Sequence, residues 1–325
     1  MKRISLIAAL GIFLFAACNK NKSTEQENIV PESEINTAST NRACAAYDVL
    51  ERQLKEDPTL QNRMDAIEEF TARYSQNPSA FRLVGDVLEV PVVVNVLWRT
   101  AAENVSDAQI ASQIAVLNAD FAGTNADVNI TSTYNSVKAG DTKIKFVPAG
   151  TVRKQTTVTG WGTNDAMKKS ASGGIDPTSP STTLNMWVCT MTGGILGYAQ
   201  FPGGPEATDG VVILNTGFGT VGTAAAPFNK GRTATHEVGH YFNLRHIWGD
   251  RRCGNDGVSD TPAHDGANYG CPAAGHTSKC TGKPVEMTMN YMDYTDDACM
   301  YMFSLGQSSR MGATWAVGGP RASLR

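Results

Sequence analysis

The sequence predicts an α/β (α+β) domain: a twisted mixed sheet with a backing helix, a second helix rich in histidine, and a loop-rich C-terminal lobe. Three observations predict it. Val90-Pro-Val-Val-Val-Asn-Val-Leu97 is the β-branched run of a buried strand. Ser106-Asp-Ala-Gln109 is a capping box, and Ile110, Ile114, Leu117 and Phe121 form the apolar stripe of the helix it opens. Cys253, Cys271, Cys280 and Cys299 lie within 47 residues and mark a cross-linked lobe after the last sheet element.

In chain order, Lys2 and Arg3 precede an apolar stretch from Ile4 to Ala17, so residues 1–18 are expected to be a secretory signal peptide. Leu14-Phe-Ala-Ala-Cys18 resembles a bacterial lipobox, which would leave a lipid on Cys18 as the sole membrane attachment. Residues 19–41 are polar, lack aromatics and read as a tether. From Ala45 to Tyr74 the pattern is helical. Tyr47, Leu50 and Leu54 share one face, Asp57-Pro58 breaks it, and Met64, Ile67 and Phe70 resume it, giving a small segment with little core of its own. Asn77-Pro-Ser79 is an exposed connection. Further strands are expected at 143–147, 184–189 and 211–214, with a glycine-interrupted edge strand within 193–202 and a last helix beginning near Ser304. The divisions are thus 1–18, 19–81, a subdomain over 82–246 and a C-terminal subdomain over 247–325.

Of 325 residues, 41 % are hydrophobic, which excludes wholesale disorder; a net charge of −3 argues against a nucleic-acid partner. No apolar run reaches the roughly 20 residues that span a bilayer. A monomer exported by a bacterium, secreted or held at its surface, is expected.

The chemistry concentrates in His236-Glu-Val-Gly-His-Tyr-Phe-Asn-Leu-Arg-His246. On a helix His236 and His240 project from one face, one turn apart, and can share a Zn²⁺. Glu237 lies beside the metal, placed to take a proton from a water that the metal acidifies. His246 can join only if the chain turns sharply, and Asn243 is suited to the left-handed conformation such a turn needs. With Glu237 unspent as a ligand, the site reads as open and catalytic; a non-catalytic surface lipoprotein holding structural zinc is the alternative. Asp250, Asp256, Asp260 and Thr261 supply hard oxygens at loop spacing that suit Ca²⁺, or are simply solvated loop acids. Cys189 reads as a buried free thiol.

These motifs resemble those of the metzincin proteases. Met289-Asn-Tyr-Met292-Asp-Tyr294 is similar to their methionine turn, with Met292 beneath the metal and Tyr294 able to swing toward it. Over about residues 88–315 the chain looks like the pappalysin family, ulilysin-like branch, on the strand 90–97, Leu196-Gly-Tyr-Ala-Gln-Phe-Pro202, Trp248-Gly-Asp250, Ser259-Asp-Thr-Pro262 and Asn290–Tyr294. The resemblance implies a latent proenzyme that cleaves proteins and peptides with Arg favoured just after the cut bond, and structural Ca²⁺ near the zinc. It implies the pairings Cys253–Cys280 and Cys271–Cys299, each closing a loop worth roughly 3–4 kcal/mol; the spacing alone leaves three connectivities open. Asp297, then Asp296, would supply the acid of the Arg pocket. Arg42-Ala-Cys44 resembles a cysteine switch, with Cys44 as a zinc ligand in the proenzyme only and Arg42 paired to an acid of the cleft; Asp48 as the blocking ligand, or an idle Cys44, are the other readings. Release of the segment 19–81 is expected at Phe81-Arg82.

Overall fold

The computed structural model describes residues 41–81 and 86–324. The expected signal peptide, Cys18, the tether up to residue 40, Arg82 and Arg325 lie outside the described residues. Among the described residues no helix is long and apolar enough to cross a membrane.

Two helices come first, α1 (Ala46–Glu56) and α2 (Leu60–Gln76). Asp57 separates them, accepting from the Thr59 amide at 2.9 Å. The apolar face of α1 is offset from the expected one. Ala46, Val49, Leu50 and Gln53 are buried, while Tyr47 is 41 % exposed. The stripe starts at the small Ala46, which lets the helix backbone lie close to the body.

The sheet contains β1 (Leu88–Trp98), β2 (Ile144–Gln155), β3 (Leu184–Cys189), β4 (Gly197–Ala199) and β5 (Val211–Leu214), in the order β2-β1-β3-β5-β4. All neighbours are parallel except β4, which runs antiparallel to β5 at the edge. β2 continues well past the 143–147 expected from pattern, because its second half is solvent-facing and lacks the apolar alternation that periodicity detects. Of the glycine-interrupted segment 193–202, three residues are strand.

One sheet face, with Val90, Val92, Val94 and Val96, packs on α3 (Asp107–Ala122) through Ile110, Ile114, Leu117 and Phe121. Ser106 caps α3, its hydroxyl accepting from the Gln109 amide at 3.2 Å, and Gly123 ends it at φ 62°. Against the same core lie α4 (Arg232–Tyr241) and α5 (Leu305–Trp315), the latter opened by a capping box between Ser304 and Gln307. The opposite face, with Leu97, Trp187, Cys189, Tyr198 and Val212, is covered by Trp161, Met167 and Ile175 together with Ala46, Val49 and Leu50 of α1. The N-terminal helices therefore share their core with the body. α2 closes on α5, where Tyr74 packs with Ala313 and Ala316.

Two disulfides hold the C-terminal lobe, Cys253–Cys280 and Cys271–Cys299, with Cα separations of 5.7 and 5.5 Å. These are the pairings the resemblance implied.

Candidate active site

All ten residues of α4 are buried, so its polar side chains must find partners inside the protein. His236 and His240, one turn apart, bring their Nε2 atoms to 3.2 Å. The helix then stops, Asn243 adopts φ 69°, and the reversal returns His246 Nε2 to 3.1 Å from His240 Nε2. Each Nδ1 faces an acceptor: the Tyr291 carbonyl at 2.7 Å for His236, the Leu244 carbonyl at 2.7 Å for His240, and the Asp250 carboxylate for His246. The protons therefore belong on Nδ1, and three bare Nε2 lone pairs face one another. Lone pairs at that spacing repel unless a cation sits among them. Tetrahedral zinc with bonds of about 2.05 Å needs ligands roughly 3.3 Å apart, so the donor set fits zinc. Burial, followed by the charges of neighbouring imidazoles, pushes His236 well below its ordinary range and His240 to about 3. Those two rings therefore favour the neutral form, with the lone pair that a metal needs.

A fourth donor comes from far away in sequence. Cys44 Sγ and the three histidine nitrogens lie within 4.8 Å of one another. Its thiol is 3.3 Å from Glu237 Oε2. Glu237 is 1 % exposed, and burial pushes its carboxyl up to about 8, opposed by the bond from Cys44 and the charge of Arg42. Gly197 on β4 makes this closeness possible, since a Cβ there would lie 2.7 Å from the Val212 carbonyl and 3.0 Å from Glu237. Beneath the helix, Met292 packs on Gly239, where a Cβ would meet its sulfur at 2.5 Å. The Tyr294 hydroxyl donates to the Cys44 carbonyl at 3.0 Å and accepts from its amide at 3.2 Å.

Arg42 fills the neighbouring pocket. Its guanidinium donates to Asp297 Oδ1 at 2.6 Å, to the Thr295 carbonyl at 3.2 Å and to Thr233 Oγ1 at 3.1 Å, and lies 5.0 Å from the centre of the Phe228 ring. Asp297 is fully buried, its other oxygen accepting from the amides of Lys230 at 2.7 Å and Arg232 at 3.2 Å. Asp296 is half-buried; burial raises its carboxyl, opposed by Arg42. Between the two anchors, residues 43–45 add to β4 as a parallel strand: the Leu196 amide donates to the Ala43 carbonyl at 2.9 Å, and the Ala45 amide to Gly197 at 3.1 Å. Ala45 holds φ −106°, which needs no glycine. Asp48 is exposed on α1 and is not the blocking ligand.

The expected calcium donors are engaged elsewhere. Asp250 orients His246. Asp256 accepts from Thr261 Oγ1 at 2.9 Å and from the Val258 amide at 3.0 Å. Asp260 accepts from Ser304 Oγ at 2.6 Å and the Gly306 amide at 2.8 Å, bracing the start of α5. Among the described residues, Cys44 with the three histidines forms a metal-ligand group. His264 is buried, its Nε2 accepting from the Met287 amide at 3.0 Å, remote from the cluster. Cys189 is a buried free thiol. The pattern reading missed Arg52, Gln53, Glu68 and Arg310, which fasten α1 and α2 to the body; they are ordinary polar residues on helices with many such residues, and no spacing marks them.

Residues 186–316 match the family model described as pregnancy-associated plasma protein-A, peptidase M43. An extracellular metalloprotease of Verticillium alfalfae is 33 % identical over 243 residues, spanning 70 % of this chain and 78 % of the relative. Mature mirolysin of Tannerella forsythia in complex with a cleaved peptide is 42 % identical with a TM-score of 0.71, covering 74 % of this chain and 96 % of that one. A promirolysin mutant of the same organism is 38 % identical with a TM-score of 0.79, covering 87 % and 97 %. With the histidine cluster, the adjacent glutamate and the methionine beneath the helix in one place, this chain belongs to the pappalysin (M43) family of metzincins and is a zinc metalloendopeptidase.

Proposed function

We propose that the protein is exported as a latent proenzyme and, once residues 19–81 are removed, cleaves polypeptides on the amino side of arginine. The observation that carries this is the Arg42 guanidinium seated on buried Asp297, two residues from a thiol at the metal position. A pocket built to satisfy a guanidinium bidentately or through several acceptors selects Arg over Lys. The likeness to a pro-form over a larger share of the chain than to the mature form supports latency. The apolar N-terminus and the extracellular relative support export.

Zinc, held by His236, His240 and His246, would supply a Lewis acid that polarises the substrate carbonyl and acidifies a water. The carboxylate of Glu237 takes the proton from the attacking water and passes it to the departing amine. Cys44 occupies its hydrogen-bonding direction in the proenzyme, so both the metal position and the base are blocked by one side chain. Tyr294, released from the Cys44 backbone, has a hydroxyl free to donate to the oxyanion that forms on the carbonyl. Chain direction explains why the inhibitory segment survives. It passes from the Arg pocket to the metal, parallel to β4. A substrate with Arg after its cut bond must pass from the metal to the pocket, antiparallel to β4. The docked segment presents its peptide bonds in the reverse sense.

Release at Phe81-Arg82 would follow the turn Pro78–Ala80, where Phe81 rests 5.3 Å from Phe70. Calcium belongs to the same proposal, with Asp250, Asp256, Asp260 and Thr261 as the oxygen donors it would draw from their protein partners. The alternative of a silent zinc lipoprotein is disfavoured by Glu237, whose hydrogen-bond partner is a thiol on the removable segment. A peptide-library digest by the matured enzyme, with and without a zinc chelator, tests the proposal. Cuts should fall before Arg and vanish with the chelator, and Glu237→Ala should lose about 10²–10⁴-fold or more in kcat while keeping zinc and fold. Near-normal turnover in that variant would remove Glu237 from the mechanism.

A further inference from the structure

Glu68, near the middle of α2, reaches down to the body rather than into solvent. Its Oε1 accepts from Arg310 Nη2, accepts from Asn243 Nδ2 at 3.3 Å, and lies 3.6 Å from Arg245 Nη2. Three donors from the end of the zinc helix and from α5 thus converge on one carboxylate oxygen. The cradle does not depend on Glu68 for its shape. Arg310 Nε donates to the Asn243 carbonyl at 2.7 Å, which fixes the guanidinium from the body side. Burial pushes the Glu68 carboxyl up, but the bond and charge of Arg310, with the charge of Arg245, outweigh it and hold the group below its ordinary range.

The second ionic anchor of the helices behaves differently. Arg52 donates to Asp165 at 2.5 Å, but Asp165 also receives Lys168 at 2.9 Å and the Tyr198 hydroxyl at 2.9 Å. Removing α1 leaves Asp165 neutralised by the body's own lysine. Removing α2 leaves Arg310 and Arg245 without the carboxylate they share. The body acids that feel these two charges spend their hydrogen bonds elsewhere: Asp250, near Arg245, on His246, and Asp256, near Arg310, on Thr261 and the Val258 amide.

The position of the cradle is informative. A cavity of about 400 Å³ between the two helices and the body is lined by Glu68, Phe201, Asn243, Arg245, Asp250 and Arg251. Phe201 lies just beyond the end of β4, with its ring 5.3 Å from that of His240. The Arg pocket lies on the other side of the metal, since the inhibitory strand runs from Asp297 past Gly197 and on into α1. A substrate antiparallel to β4 would therefore lay the residues upstream of its cut bond along this cavity.

We infer that Arg310, Arg245 and Asn243 form an anion subsite of the mature enzyme, upstream of the cut bond, that takes an acidic side chain of the substrate. In the proenzyme Glu68 fills it. The inference rests on the proposed cleavage before Arg and on release of the N-terminal segment. It adds a second, oppositely charged requirement to the substrate.

The test uses the matured enzyme and peptides with one cleavable bond before Arg, in which Glu, Ala or Lys is scanned through the second to sixth residues upstream of the cut. One position should show kcat/KM about tenfold higher for Glu than for Ala, carried by KM, and lower for Lys. In Arg245→Glu the Glu-to-Lys ratio at that position should invert; this arginine is 41 % exposed at its side chain, so the variant disturbs no core. Arg310→Lys, which keeps the charge, should retain part of the preference. A Glu-to-Ala ratio near one at every position, or a ratio indifferent to Arg245→Glu, overturns the subsite. If no bond before Arg is cut at all, the Arg reading falls instead, and the same scan around the bonds that are cut still decides the subsite.

Discussion

Residues 42–45 and the helices that follow them are one continuous segment, yet they grip the enzyme by different physics. Arg42 and Asp297 are 1 % and 0 % exposed at their side chains, in a pocket from which water is excluded. Glu68 and Arg52 are 31 % and 30 % exposed, against partners that the body holds inside. The first contact is dry and sits on the catalytic groups; the second is wet at its edges and sits on their flank. A charge pair that is buried loses several kcal/mol when one partner is removed, because the other is left unpaired, whereas a solvated pair is worth about 0–1 kcal/mol. Latency should therefore be concentrated in a few residues while attachment is spread over many.

The largest effect tests that concentration. Arg42→Ala should weaken the inhibitory strand by about 3 kcal/mol, roughly a hundredfold in residual proenzyme activity on a small peptide. Cys44→Ala should act in the same direction, and a thiol-directed mercurial should activate wild type but not this variant. Proenzyme carrying either substitution and remaining as silent as wild type would mean that the helices block the cleft by bulk alone. Asp297→Ala in the matured enzyme should erase the preference for Arg and leave cleavage of other bonds in place; unchanged selectivity would shift the pocket to Asp296.

A smaller effect tests the wet anchors. Glu68 is held below its ordinary range, so the docked state takes up a proton less readily than the released one. Its contribution is complete above the usual carboxylate range and is lost as pH falls through the depressed value. Protection of the α2 amides in a Glu237→Ala proenzyme, corrected for the intrinsic pH dependence of amide exchange, should fall a few-fold between pH 7 and pH 3, and Glu68→Gln should flatten that dependence. Corrected protection that ignores both pH and the substitution would remove Glu68 as an anchor. Calcium gives the smallest expected effect. EGTA at a dose that spares zinc should lower the melting temperature by about 2–4 °C for each kcal/mol of bound-ion stabilisation, and an identical melting curve would sink the site.

Local chemistry was legible in the sequence and long-range pairing was not. The spacing of His236 and His240, the left-handed Asn243 and the caps at Ser106 and Ser304 are decided within one or two helical turns, so they can be read from a string. Arg42 and Asp297 were each singled out, but 255 positions separate them, and only the fold shows that each is the other's partner. The outer half of β2 escaped notice because it is an edge strand with no buried face. Tyr47 misled for the opposite reason: a large aromatic at a plausible spacing outweighed the small Ala46 that makes the contact. The acids from 250 to 260 have calcium-like spacing, yet Asp250 was recruited to a histidine and Asp260 to a helix start.

The strand β4 spans Gly197 to Ala199 at the rim of the sheet, and residues 43–45 pair with it. The proposed release of residues 19–81 would uncover that rim. An open strand edge is normally a hazard, because unsatisfied amides and carbonyls can recruit the edge of another molecule and seed aggregation. Here the exposed ladder is three residues long, and glycine at its head offers little side chain for a sticky face. It is long enough to grip a passing peptide by a few main-chain bonds and too short to nucleate a growing stack. Brevity at this rim would let the enzyme keep a permanently vacant docking edge in solution without becoming its own partner.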